Sequence, residues 1–331
     1  MKTIKLIIIC AFFMIVFTTF MLLNSCDKEA ENDGVIEEFQ INNLNQDNFP
    51  KVDGSTSTEP LQIMIASKLL GVECKWIYSP AWFSEYPFHM APLADKNPEA
   101  ARFIYERIHH QGTHSSYFNL CNKYADLILV ARKASADELH LADSLDVTLI
   151  ETPVALDAFI FLVNKNNMVN SLTTKQIQDI YTGEIAHWNQ VAGSESKIQA
   201  YIRDRNSGSQ ELMESLVMNG LPMIKLPDMM IEGMMGLVNR IEFDKSGLGY
   251  SVYYYTKYMI RSDSIKMLAI DGIYPDYENL KSKKYYYTAE VYAVIRSDLD
   301  TASTAYKLYN LLLSPAGQNL INESGYIPYY H

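Results

Sequence analysis

Residues 158–193 read AFIFLVNKNNMVNSLTTKQIQDIYTGEIAHWNQVAG. Ala158 to Val163 is an unbroken apolar run of strand length, as expected for a strand buried on both faces. Further on, Thr173 or Thr174 caps a helix running to Tyr181, and Gly183 stands where a left-handed residue closes helices. The alternation continues in both directions. Pro60 to Leu70 reads as a helix opened by Ser57 or Thr58 and closed by Gly71. Ser115 to Lys123 reads as a second, followed by the apolar strand Leu127 to Ala131. Gln210 to Met218 is a helix stopped by Asn219-Gly220, and a last one covers Ala302 to Leu313, ending before Ser314-Pro315. Helices and strands that alternate in this way predict an α/β architecture.

With 331 residues, 48% of them hydrophobic and 20% charged, the chain has material for two lobes of ordinary size around a buried core. A net charge of -11, with no basic run, argues against nucleic acid as a partner. No G-x-S-x-G elbow, H-E-x-x-H pair or Walker loop occurs, and no serine has a nominated histidine and acid. The expectation is therefore a binding protein without cofactor or metal, and not an enzyme.

The N-terminus reads as an address. Lys2 and Lys5 precede an apolar stretch from Leu6 to Leu23, and Leu23-Asn24-Ser25-Cys26 resembles a bacterial lipobox with Cys26 as the lipidated residue. The competing reading is an uncleaved membrane helix, which the length of the stretch also suits. The expected organisation is a lipoprotein signal peptide over 1–26 and a polar, acidic tether over 27–47, with the folded part beginning near Phe49-Pro50. The product is exported and held by lipid on a bacterial membrane, at its periplasmic or cell-surface face.

Three segments share one chemistry. Asp53-Gly54-Ser55-Thr56-Ser57-Thr58, Gly112-Thr113-His114-Ser115-Ser116 and Arg203-Asp204-Arg205-Asn206-Ser207-Gly208-Ser209 each lead into a predicted helix. A helix start leaves backbone N–H groups without intrahelical partners, and its dipole favours an anion. Glycine permits close approach, the hydroxyls add donors, and Arg203 adds a planar fork for an oxyanion. Any one of these segments alone is also what ordinary capping produces. If they converge, they form an anion cage built mainly from neutral donors, which an acidic protein can sustain at short range.

These landmarks resemble the PstS-like phosphate receptors of ABC importers, in the periplasmic-binding-protein family. Phe159–Gly193 is similar to that family's crossing strand and its "SLT…Q…IYTG…W" block. RDRNSGS at 203–209 resembles its R-[DE]-x-[GN]-S-G-[TS] loop, and Ser314–Gln318 with Ser324–Pro328 resembles its "SPEGQ…SGYIP" ending. The resemblance spans about Val52 to Tyr330. It implies a type II periplasmic-binding-protein fold with two α/β lobes, residues 48–152 plus 288–331 and residues 153–287. Two strands would cross between them, near Val154–Val163 and Thr288–Ile295. It implies an anion site made by Ser55, Thr56, Ser57, Thr113, Arg203, Ser207, Gly208 and Ser209, with Asp53, His114 and Asn206 as further candidates. Implied partners are inorganic phosphate or a similar oxyanion, ABC permease subunits, and a membrane through the lipid anchor, for a monomer. An anion sensor or scavenger without a permease, or a receptor for another small ligand, are the alternatives. Two departures bear on the ligand. The segment Leu129-Val130-Ala131-Arg132 lacks a carboxylate that many members carry, and Arg205 stands where many have an acid. Asp53 or Asp204 is then the expected acceptor for a phosphate hydroxyl.

Other conspicuous residues have plainer readings. His110 and His114 have metal-ligand spacing but are interrupted by Gly112. The methionines at 223, 229, 230, 234 and 235 read as core packing or a soft surface, and the aromatic-rich insertion containing Trp76, Tyr78, Trp82, Phe83, Tyr86 and Phe88 reads as packing. Tyr253–Tyr255 and Tyr285–Tyr287 fit strand preferences. Cys74 and Cys121 could pair or stay as separate thiols.

Overall fold

The computed structural model describes residues 38–80, 86–224 and 229–330. The signal region with Cys26, most of the expected tether, and Trp82 and Phe83 of the aromatic insertion lie outside these residues. Nine of the fourteen strands among the described residues matter most: β1 Val52–Gly54, β2 Cys74–Tyr78, β3 Phe88–Pro92, β4 Leu127–Val130, β5 Leu149–Asn164, β6 Gly247–Val252, β7 Ile265–Met267, β8 Thr288–Arg296 and β9 Ile327–Pro328. The helices that matter for the site are α1 Glu59–Leu69, α2 Thr113–Cys121, α3 Ala136–Ser144, α4 Thr174–Thr182, α5 Gly208–Leu212, α6 Met234–Phe243, α7 Thr304–Leu313 and α8 Pro315–Ser324. The π-helical turn Met213–Met218 continues α5.

Strand β5 is the spine. Its first part, Leu149–Ala158, pairs antiparallel with β8, and its last part, Phe159–Val163, pairs antiparallel with β6. On the far side of β8 come β4 and then β1, the last two parallel. The 16-residue strand is much longer than the predicted run Ala158–Val163. Its first half, LIETPVALD, carries Glu151, Thr152, Pro153 and Asp157, which break the apolar pattern. Pairing with β8 makes it a strand all the same. The register slips between Val291 and Tyr292, opposite Pro153, which has no N–H to give the ladder. Both segments expected to cross, Val154–Val163 and Thr288–Ile295, lie within strands.

Two features differ from expectation. The fold takes in the chain from Glu38, and Phe39 is buried with Ile41 and Leu44 packed beside it, so the tether stops short of residue 47. Apolar residues spaced among asparagines and acids were too few to signal this anchoring. Helix α7 ends before Ser314-Pro315 as expected but is not the last, because α8 starts there, with Ser314 Oγ accepting from Gly317 N at 3.3 Å. Proline at the first helical position starts a helix as well as ending the preceding one.

Trp76, Tyr86 and Phe88 of the aromatic insertion pack inward, whereas Tyr78, expected to pack, is exposed. Hairpin β2–β3 sets Trp76 against Tyr258 (ring centroids 6.4 Å apart), and Tyr86 is buried edge-on to Tyr255. The Arg261 guanidinium lies over both Trp76 (5.1 Å) and Phe88 (4.4 Å). Met223, Met229, Met234 and Met235 pack against the core, and Cys74 and Cys121 are separate thiols.

Where β5 exchanges β8 for β6, Asp157 is 1% exposed. Its Oδ1 accepts from Ala158 N (2.8 Å) and Tyr254 N (2.9 Å), while Oδ2 has no hydrogen-bond partner among the described residues. Burial pushes this carboxyl up to about 7 from the usual 3.8, against the pull of the backbone amides. An unfolded aspartate ionises near pH 4, so this group stabilises fully below that and loses its contribution as pH rises to about 7, on the order of 4 kcal/mol. Asp157→Asn keeps the acceptor and cannot ionise. Its urea midpoint relative to the parent should rise steadily from about pH 4 to about pH 7, and a constant difference would show that the carboxyl is not held protonated.

Candidate functional site

The three predicted helix starts converge on one cavity of about 370 Å³. Ser55, Thr56 and Ser57 line it from the first loop, Thr113 and His114 from the second, and Arg203, Asn206, Ser207, Gly208 and Ser209 from the third. Asp53 is the one sequence candidate that does not line it.

The first loop is locked to the sheet. Ser55 N donates to Leu129 O (3.0 Å), and Thr58 Oγ1 contacts Leu129 O (2.7 Å) and Ser55 O (2.8 Å). Thr58 therefore spends its hydroxyl on the scaffold, while Ser55, Thr56 and Ser57 line the cavity. The Ser57 carbonyl accepts from Tyr326 Oη at 2.9 Å, and that ring stacks on Tyr254 with centroids 3.7 Å apart.

The second loop turns at Gly112, whose φ of 90° is one that side chains rarely adopt. Asp53 acts from behind. It is 3% exposed, and its Oδ1 accepts from Gly54 N (2.7 Å), Ser116 Oγ (3.2 Å) and Gln111 N (3.3 Å). Its Oδ2 accepts from Asn119 Nδ2 at 2.6 Å. With both oxygens engaged, Asp53 joins the first loop to the second and is not the acceptor expected in the cavity.

Arg203 is set on the third loop by a buried polar knot. Its backbone N–H reaches Tyr250 Oη (2.9 Å) and Gln210 Oε1 (3.1 Å), and Tyr250 in turn donates to Gln210. The guanidinium is 6% exposed, donating through Nε to Ile231 O (3.1 Å) and through Nη1 to Ser209 Oγ (3.4 Å). Burial pushes its pKa down from the usual value, but arginine starts so high that the cation persists at neutral pH. Among the described residues the carboxylate within ion-pair reach is Asp204, at a loose 3.6 Å and 43% exposed. A buried cation so weakly compensated, beside several helix starts, creates a strong local demand for an anion.

Sequence reasoning missed a fourth helix start. Gly233 and Met234, at the head of α6, also line the cavity. Without serine or threonine this start had no hydroxyl signature, and the glycine before the helix was the available signal. His110 and His114 do not share a helix face, because α2 begins only at Thr113. Each has a glutamate neighbour: His110 Nε2 is 3.2 Å from Glu59 Oε1, and His114 Nδ1 is 3.0 Å from Glu138 Oε1. Among the described residues, no cluster of three or more His, Cys, Asp or Glu side chains is arranged for a metal ion. Nor is any helix there long and apolar enough to cross a membrane.

An α/β fold with a cavity ringed by helix starts agrees with the comparisons. The PBP superfamily domain matches residues 92–316, and the chain belongs to that superfamily. The phosphate-binding protein PstS of Borreliella burgdorferi is 23% identical over 223 residues, 66% of this chain and 77% of that one. A putative phosphate ABC transporter substrate-binding protein from Clostridium perfringens, solved with bound phosphate, superposes with a TM-score of 0.61 at 21% identity, covering 84% of this chain and 98% of its own. An ABC-type phosphate transport receptor from Vibrio cholerae gives 0.58 at 21% identity, with the same coverages of 84% and 98%. The fold is the type II periplasmic-binding-protein fold, and the resemblance to PstS-like proteins seen in the sequence holds.

At Gly208 the third loop approaches the second closely. A Cβ there would stand 2.7 Å from Thr113 Oγ1. Glycine to alanine in a helix ordinarily adds about 1 kcal/mol. Here Gly208→Ala should instead destabilise by about 1–2 kcal/mol through overpacking, and Gly208→Ala with Thr113→Ala should recover most of it. Thermal unfolding of the two variants checks this, and a stabilised single variant would mean that the loops stand further apart.

Proposed function

We propose that this chain is an exported receptor that captures phosphate, or a closely similar oxyanion, for ABC-type import. The observation that carries the reading is the buried, weakly compensated Arg203 guanidinium facing a cavity ringed by helix starts with hydroxyl donors. Charge-assisted donation from a rigid fork, together with oriented amides, binds a tetrahedral oxyanion in a dehydrated site. The names of the relatives, which are phosphate-binding proteins, point the same way. Ser55, Thr56, Ser57, Thr113, Arg203, Ser207, Gly208 and Ser209 form the binding set, with His114 and Asn206 at its edge.

In this reading, residues 48–152 with 288–331 make one lobe and residues 153–287 the other, and β5 and β8 are the strands between them. The first and second loops belong to one lobe and the third to the other, so anion binding draws the lobes together and presents a changed surface to a permease. The two forms must differ in anion affinity for the cycle to load and unload. Cys26 would carry the lipid that holds the receptor outside the cytoplasm. No step requires bond chemistry, a metal or a cofactor.

Calorimetric titration of the full chain in mild detergent, stripped of carried-over ligand by partial unfolding and dialysis, tests the reading. Phosphate should bind at micromolar concentration or tighter. Arg203→Ala should weaken it more than tenfold, with thermal unfolding showing the variant folded. Affinity unchanged in that variant would remove Arg203 from the site, and no heat with phosphate would overturn the receptor reading.

A further inference from the structure

We propose that His114 is the hydrogen-bond acceptor for the ligand's P–OH, and that this neutral acceptor makes the site prefer phosphate over sulfate. The inference rests on the phosphate reading and adds the residue that sets its selectivity. Near neutral pH phosphate keeps at least one O–H, whereas sulfate has none. A cage made only of donors would leave that O–H unpaired and give sulfate the advantage.

The carboxylates around the cavity are poorly suited to accept it. Both oxygens of Asp53 are engaged by Gly54, Gln111, Ser116 and Asn119, and the residue does not line the cavity. Glu138 is 1% exposed and fully committed: Arg132 grips it with Nη1 (2.7 Å) and Nη2 (2.9 Å), and Ser135 N donates to it at 2.8 Å. Asp204 lines the cavity, but it is half-exposed and its charge sits beside Arg203.

His114 lines the cavity and is held from behind by this same Glu138, with Nδ1 3.0 Å from Oε1. Burial alone would raise the Glu138 carboxyl, but Arg132, the Ser135 amide and His114 together hold it below the usual range, so it is ionised and only accepts. The proton of the neutral ring therefore sits on Nδ1, and Nε2 carries the lone pair. His114 thus brings a neutral ring acceptor, held from behind, to a wall rich in hydroxyl and guanidinium donors. Unlike a carboxylate, it adds no negative charge against a dianion.

The test measures phosphate and sulfate affinities of the full chain in mild detergent at about pH 8, for the parent, His114→Ala and Asp204→Asn. The parent should prefer phosphate, and His114→Ala should lose at least tenfold of that ratio, or 1.4 kcal/mol, with sulfate affinity changed by less than about threefold. His114→Gln, which restores a neutral acceptor, should recover part of the ratio. An unchanged ratio in His114→Ala, with phosphate still bound tightly, overturns this inference and leaves the receptor reading intact. Collapse of the ratio in Asp204→Asn and not in His114→Ala overturns it in favour of Asp204. A parent that binds neither anion overturns both.

Discussion

One backbone serving two sets of partners is the constraint on which the molecule is built. Strand β5 satisfies its hydrogen bonds with β8 over its first part and with β6 over its last. The three predicted loops hang from this arrangement: the first two on β1 and β4 beyond β8, the third beside the β6 half through the Tyr250 and Gln210 knot under Arg203. The exchange of partners also places Asp157 where water does not reach, so a carboxyl sits at the one point where both halves of the sheet meet. A core strand with an ionisable group at its switch point ties the stability of the scaffold to protonation in a way that an apolar residue would not.

The electrostatic design of the site follows from burying one cation without a full partner. Arg132 and Arg203 are both buried arginines near the cavity, yet they behave differently. Arg132 is neutralised by a bidentate grip on Glu138 and serves the scaffold. Arg203 has only a loose, half-exposed carboxylate and is left facing the cavity. That difference leaves Arg203 as a weakly compensated cation facing the cavity in a chain of net charge -11. Long-range repulsion is screened within about 8–10 Å at ordinary salt, whereas the buried cation and the helix-start amides act at contact.

Much of this was legible in the sequence because it rests on local rules. The helix from Thr174 was announced by its Thr173 cap and Gly183 stop, and both do those jobs. The serine and threonine runs at 55–58, 113–116 and 207–209 each mark a helix start, although the helices expected from Ser115 and Gln210 begin two residues earlier, at Thr113 and Gly208. The exceptions were features whose cause lies elsewhere in the chain. The first half of β5 looked irregular because its polar residues hide a strand that pairing with β8 enforces. The helix start at Gly233-Met234 carries no hydroxyl, and so its place in the cavity left no mark.

Residue chemistry and local backbone preference, both written in the chain order, marked most of the helices and the apolar strands, though Tyr253–Tyr255 and Tyr285–Tyr287, which fit strand preferences, fold into a helical turn and a turn instead. Only the tertiary structure decided which loops meet, because convergence depends on sheet register and long-range pairing. It decided that Asp53 turns away to brace two loops, that Arg132 is neutralised while Arg203 is not, and that a glutamate behind His114 orients the ring. Each of these outcomes is a competition for hydrogen-bond partners among residues far apart in sequence, and only a folded chain can settle it.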